Sequence, residues 1–259
     1  MKPMQPFRLD GRVAFISGSR GHLGAAMTRA LCAAGAHVIV NGRDARALAG
    51  FAAALAAEGH AVSQAAFDAH DVDQIRNFFG ALPRLDILVN NAVAMQVKSF
   101  ATLQPDDFAR TYASCVTATF ETVRAALPAL KAGVAASGEA SVVNIASMYA
   151  QVSPDARLYD DPAGQSPFHY GPAKAGLIQL TRHLAAELGR QKIRVNALVP
   201  GPFPAAAPPG FAERLAQRTM LGRLGRAEEI GGPLLFLSSP AAGFITGSAL
   251  MADGGWTAW

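Results

Sequence analysis

The chain has 259 residues, 51% of them hydrophobic and 16% charged, which predicts one sizeable core in a single domain over 1–259. No apolar run reaches bilayer length, the start MKPMQPFRLDGR lacks a secretory apolar segment, and Cys32 and Cys115 are too few for a disulfide framework and lack zinc spacing. The net charge of +4 comes from scattered basic residues rather than a cluster interleaved with aromatics, so a small-molecule partner in a cytoplasmic setting is expected, with no nucleic acid, membrane or metal.

Val- and Ile-rich runs at 12–17, 37–41, 61–67, 85–90, 141–146, 193–199 and 248–252 predict strands. Helical periodicity fills 22–35 and ends at a glycine cap, and Asp44 is placed to cap the helix after the second strand. Long helices are predicted over about 106–131 and 168–189. Strand–helix alternation requires right-handed crossovers and a parallel sheet covered on both faces. The predicted class is α/β, a doubly wound Rossmann fold.

Between the first strand and first helix lies SGSRGHLG, residues 17–24. Gly18, Gly21 and Gly24 suit a tight turn, close approach to a pyrophosphate, and close helix–sheet packing. Glycines alone also suit an ordinary strand–helix turn; the position after the first strand favours the phosphate loop. The second strand ends VNGRD, with no free acid for ribose hydroxyls because Asp44 is engaged as a cap. Arg43, with Arg20 in reach from the glycine loop, suits a 2′-phosphate, so NADP(H) is favoured, with NAD(H) left open.

HYGPAK, residues 169–174, sets Tyr170 one helical turn before Lys174. A free phenol is a poor acid–base catalyst at neutral pH, and a nearby positive charge favours its ionised form. Taken alone, the pair reads first as an incidental feature of an amphipathic helix, and its place among the flanking motifs is what favours a catalytic role.

With NNA (90–92), IAS (145–147), YGPAK (170–174), VNALVPG (195–201) and ITGSALMADGGW (245–256) in this order, the chain resembles the short-chain dehydrogenase/reductase family over nearly its whole length. Within that family, VNGRD and the segment 221–239 are similar to gluconate 5-dehydrogenases and 3-oxoacyl-carrier-protein reductases. The resemblance implies a seven-stranded parallel sheet, a nicotinamide cofactor and a homotetramer or homodimer. It assigns Ser147, Tyr170 and Lys174 to catalysis, with Ser147 donating a hydrogen bond to the substrate oxygen. It places the cofactor against Gly18, Ser19, Arg20, Gly21, Leu23 and Gly24, then Asn41 and Arg43. Asp68 meets the adenine amino group, and Asn90 and Ala92 steady the cofactor along the fourth strand. Lys174 holds the ribose hydroxyls, while Pro200, Gly201 and Phe203 flank the nicotinamide carboxamide.

Four positions depart from the family pattern. The glycines are spaced Gly-x-x-Gly-x-x-Gly, Val93 replaces the glycine after NNA, and Ala205 replaces a threonine. Cys115 stands where a catalytic asparagine is usual, which predicts a small buried helix residue and a weakened proton relay. The segment 148–169, broken by Pro154, Pro162, Gly164 and Pro167, is expected to roof the substrate pocket, with Tyr149 and Tyr159 lining it. The segment 201–220 is expected to wall the other side. The expected function is NADP(H)-dependent hydride transfer to or from a small or medium polar alcohol/ketone. An acyl-carrier or polyketide-type 3-ketoacyl reductase and a catalytically weakened nucleotide-binding scaffold are the alternatives.

Overall fold

The computed structural model describes residues 5–161 and 164–259, so Pro162 of the predicted loop lies outside the described residues. Seven parallel strands form one sheet in the order β3-β2-β1-β4-β5-β6-β7. They are β1 Val13–Ile16, β2 His37–Gly42, β3 Val62–Ala66, β4 Ile87–Asn90, β5 Ala140–Ile145, β6 Ile193–Pro200 and β7 Ala249–Ala252. The central strands β4, β5 and β6 are buried along their whole length, as a sheet covered on both faces requires.

The eight helices are α1 His22–Ala33, α2 Ala45–Ala57, α3 Val72–Gly80, α4 Pro105–Tyr112, α5 Ala118–Ser137, α6 Tyr170–Leu188, α7 Pro209–Gln217 and α8 Gly231–Ser238 among the described residues. Met27 and Leu31 of α1, Leu48 and Leu55 of α2, and Leu234 and Leu237 of α8 cover one face of the sheet. Ile75 and Phe79 of α3, Ala126 and Leu130 of α5, and Leu184 and Leu188 of α6 cover the other. Asp44 caps α2 as predicted, its side chain accepting from the Ala47 N–H at 3.0 Å.

One predicted helix is divided. A π-helical turn, Ala113–Thr117, separates α4 from α5 within the span expected to be a single helix. The Ser114 hydroxyl accounts for the widening: it reaches the Thr111 carbonyl at 3.0 Å and the Ala94 carbonyl at 3.1 Å, outside the helical ladder. Helix α6 starts at Tyr170, so Pro172 falls in the first turn, where an N–H has no intrahelical partner.

Candidate active site

The strand order reverses between β1 and β4, and there the loops after the two strands are laced together. Ser17 Oγ accepts the N–H groups of Asn91 and Ala92 at 2.9 and 3.0 Å, and Asn91 Nδ2 donates back to the Ser17 carbonyl at 2.9 Å. A cavity of about 710 Å³ runs over this point, from Arg43 and Asp68 at one end to Tyr170 and Lys174 at the other. Gly18, Gly21, Leu23, Gly24, Asn41, Ala92 and Pro200 border it between those ends.

The glycine loop is shaped to admit an anion. Gly18 has φ +62°, and a Cβ at Gly24 would overlap the Gly18 carbonyl oxygen. The N-cap of α1 is Gly21, which offers no side chain, so the first N–H groups of α1 are not side-chain capped. This cradle, beside an exposed Arg43, fits the pyrophosphate and 2′-phosphate of a dinucleotide. At the same end Asp68 Oδ1 lies 3.1 Å from His70 Nδ1 and accepts the His70 N–H at 3.0 Å. His70 borders the cavity, and its buried Nε2 has no hydrogen-bond partner among the described residues.

At the other end Lys174 is 3% exposed, and its Nζ donates to the Ile145 carbonyl at 2.7 Å. The same nitrogen lies 5.8 Å from the centroid of the Tyr170 ring. Ser147, 7% exposed, follows β5, and its Oγ accepts the Tyr149 N–H at 3.2 Å. A Cβ at Gly171 would come 2.8 Å from the Tyr149 carbonyl, so a side chain there would force α6 away from the segment carrying Ser147.

Other sequence-predicted residues spend their polar groups within the fold or lie outside the main cavity. Ser19 is buried, with its N–H and hydroxyl both 3.0 Å from the Asn41 carbonyl. Asn41 borders the cavity but spends its amide on the Ala65 and Phe67 carbonyls at 2.9 and 3.1 Å. Asn90 donates to Asn144 at 2.9 Å, and Asn144 donates to Thr181 at 2.9 Å, a buried chain joining β4, β5 and α6. Arg20 is exposed beside the loop. Gly201 and Phe203 follow β6, with Phe203 on a second cavity of about 430 Å³ that includes Met220 and Met251.

Tyr149 and Tyr159 do not border the main cavity. Their hydroxyls meet at 2.9 Å in a cluster with Met148, Leu158, Leu215 and Trp256. Burial, and then the Tyr159 hydroxyl, push the Tyr149 phenol far above its ordinary value, so Tyr149 stays protonated and cannot act as a base. Residues 158–160 of the segment are instead anchored on α7, where Arg214 donates to the Leu158 carbonyl and to Asp160, each at 2.8 Å.

The structure adds wall residues that motif reading did not find: Ala94 to Gln96, Asp107, Arg110, Thr111 and His169. The available signal was spacing, since Asp107, Thr111 and Ser114 fall on one helical face.

Residues 19–257 match the family model described as enoyl-(acyl carrier protein) reductase. The chain belongs to the short-chain dehydrogenase/reductase family. This member is 33% identical over 258 residues to the rhamnolipids biosynthesis 3-oxoacyl-[acyl-carrier-protein] reductase of Pseudomonas aeruginosa, covering 96% of this chain and 97% of that one. It is 31% identical to gluconate 5-dehydrogenase of Gluconobacter oxydans, covering 97% and 96%. Among solved structures it is similar to a gluconate 5-dehydrogenase from Burkholderia cenocepacia in complex with NADP and tartrate, with TM-score 0.86, 30% identity and 99% of both chains covered. As a dehydrogenase/reductase it is an oxidoreductase of CH–OH and C=O groups. No helix of the described residues is long and apolar enough to cross a membrane.

Proposed function

We propose that the protein is an NADP(H)-dependent oxidoreductase interconverting a secondary alcohol and a ketone on a small or medium polar substrate. The observation that carries this reading is one cavity bordered by both the glycine cradle and the Tyr170–Lys174 pair. NADP in the similar Burkholderia structure supports the cofactor, as does Arg43, which has no hydrogen-bond or ion-pair partner among the described residues. When bound, the nicotinamide supplies or accepts the hydride at the carbinol carbon.

In the reducing direction the Tyr170 hydroxyl gives its proton to the substrate oxygen as charge grows there. The Lys174 ammonium, held by the Ile145 carbonyl, stabilises the negative charge left on the phenol oxygen. Ser147 Oγ keeps its own proton free to donate, because its bond to the Tyr149 N–H uses only a lone pair. Arg20 and Arg43 take the 2′-phosphate, Asp68 the adenine amine, and Asn90, Ala92, Pro200, Gly201 and Phe203 the nicotinamide half. At the end of the 148–169 segment, His169 borders the cavity beside Tyr170 and is the residue of that segment placed against the substrate. The enzyme is assigned to the cytoplasm as a homodimer or homotetramer, in keeping with its two free thiols and the family resemblance.

A 3-ketoacyl substrate is the second reading. Val93 and Met95, exposed by 39% and 43%, border the cavity and suit an acyl chain. Oxidation of NADPH and NADH with ketoacids, sugar ketones and oxoacyl thioesters tests both. Turnover of ketoacids or sugar ketones is expected; preference for thioesters selects the second reading. Tight NADPH binding without turnover of any of them contradicts both and supports a scaffold.

A further inference from the structure

The strip 93–98 leaves β4 and runs along the cavity, held to the protein at alternate residues. Ser114 Oγ donates to the Ala94 carbonyl at 3.1 Å and accepts the Ala94 N–H at 3.4 Å. His169 Nε2 lies 3.1 Å from the Gln96 carbonyl. Lys98 Nζ donates to both Asp107 carboxylate oxygens, at 2.7 and 2.9 Å. Asp107, Thr111 and Ser114 share one face of α4 and the π turn, and Thr111 Oγ1 lies 2.9 Å from His169 Nδ1.

Of these anchors only His169 belongs to the α6 side, as its N-cap and the residue before Tyr170. A carbonyl can only accept, so Nε2 carries a proton toward Gln96, while Nδ1 pairs with the Thr111 hydroxyl. The ring is 2% exposed, so a replacement without these groups leaves the Gln96 carbonyl and Thr111 hydroxyl with little water to turn to.

We propose that His169 is a positioning residue, which sets the distance between the substrate-facing strip 93–98 and the Tyr170 hydroxyl. The proposal rests on the reading of Tyr170 as proton donor. It also gives α4 a role: the Asp107–Thr111–Ser114 face transmits the position of the strip to the start of α6. His169→Phe keeps an aromatic ring beside Phe108, whose centroid is 6.0 Å away, and loses both polar contacts. His169→Gln restores an N–H directed at the Gln96 carbonyl.

The test combines amide hydrogen exchange across 93–98, steady-state ketone reduction, and NADPH binding by fluorescence, in the full chain. His169→Phe is expected to speed exchange across the strip and lower kcat/KM by about tenfold or more, with NADPH affinity within about twofold. His169→Gln is expected to recover most of both losses, and Thr111→Val to fall between. Unchanged exchange and kcat/KM in His169→Phe overturns the proposal. So does a Gln variant as impaired as the Phe variant, or NADPH affinity falling in step with kcat/KM. Should His169→Phe not fold, Thr111→Val decides by the same criteria. Turnover surviving in Tyr170→Phe contradicts the proton-donor reading instead, and exchange across 93–98 still decides whether His169 holds the strip.

Discussion

Lys174 donates to the Ile145 carbonyl at 2.7 Å, and this bond fixes the start of α6 against the end of β5. The ammonium is thereby held on the Tyr170 side of a cavity that also borders Ile145. Lys174→Met is expected to lower kcat/KM by roughly 10²–10⁴, the range typical of a lost acid–base group. Lys174→Arg is not expected to restore it, because a planar guanidinium does not fit a site shaped for a point charge. Steady-state kinetics check both; activity within about threefold of wild type in Lys174→Met contradicts the assignment.

Arg43 is exposed at the cavity mouth, after the residue that ends β2. Arg43→Ala is expected to weaken NADPH binding by about 10- to 100-fold, the worth of one charge-assisted contact, and to leave NADH binding nearly unchanged. Titration with the two cofactors measures the difference. An unchanged ratio removes Arg43 from the site.

The sequence was most informative where a local rule acts alone. Strand–helix alternation reproduced all seven strands to within a residue or two, and the Asp44 cap follows from the side chain's reach to the Ala47 N–H. The glycine loop and the Tyr170–Lys174 pair were legible for the same reason: their spacing is their geometry. What escaped depends on distant partners. Within the π turn Ser114 bonds Ala94, twenty residues earlier, and His169 contacts Gln96 and Thr111, both far from it in sequence. Tyr149 and Tyr159 were expected in the pocket, yet their ring surfaces are better buried against Met148, Leu158 and Leu215.

Cys115, 2% exposed in the π turn, packs with Val116, Ala173 and Leu180. Cys115→Asn would place an amide in that apolar contact, and a destabilisation of about 1–3 kcal/mol is expected in denaturant unfolding. An unchanged unfolding midpoint contradicts this packing. Burial also pushes the Cys32 thiol up to about 11. Both thiols are buried, so neither is expected to react with a chromogenic disulfide near neutral pH in the folded protein, while both react once it is unfolded.

Asp107 is held at a pKa of about 2 by Lys98 first, then by the Gln104 N–H and Arg110. An unfolded aspartate titrates near about 3.9, so the unfolded chain binds the proton more tightly as acid is added. The contribution of Asp107 is complete above roughly pH 4 and is lost as pH falls toward 2. Asp107→Asn is expected to be less stable at neutral pH and to lose less stability across that window. Parallel acid-unfolding curves for the two proteins contradict the assignment.

The central claim is that Tyr170 delivers the proton that accompanies hydride transfer. Single-turnover oxidation of bound NADPH by a ketone that the wild-type enzyme reduces, compared with Tyr170→Phe, tests it most directly. The account predicts that Tyr170→Phe binds NADPH normally and slows the oxidation by about 10²-fold or more. Oxidation at the wild-type rate in Tyr170→Phe contradicts it.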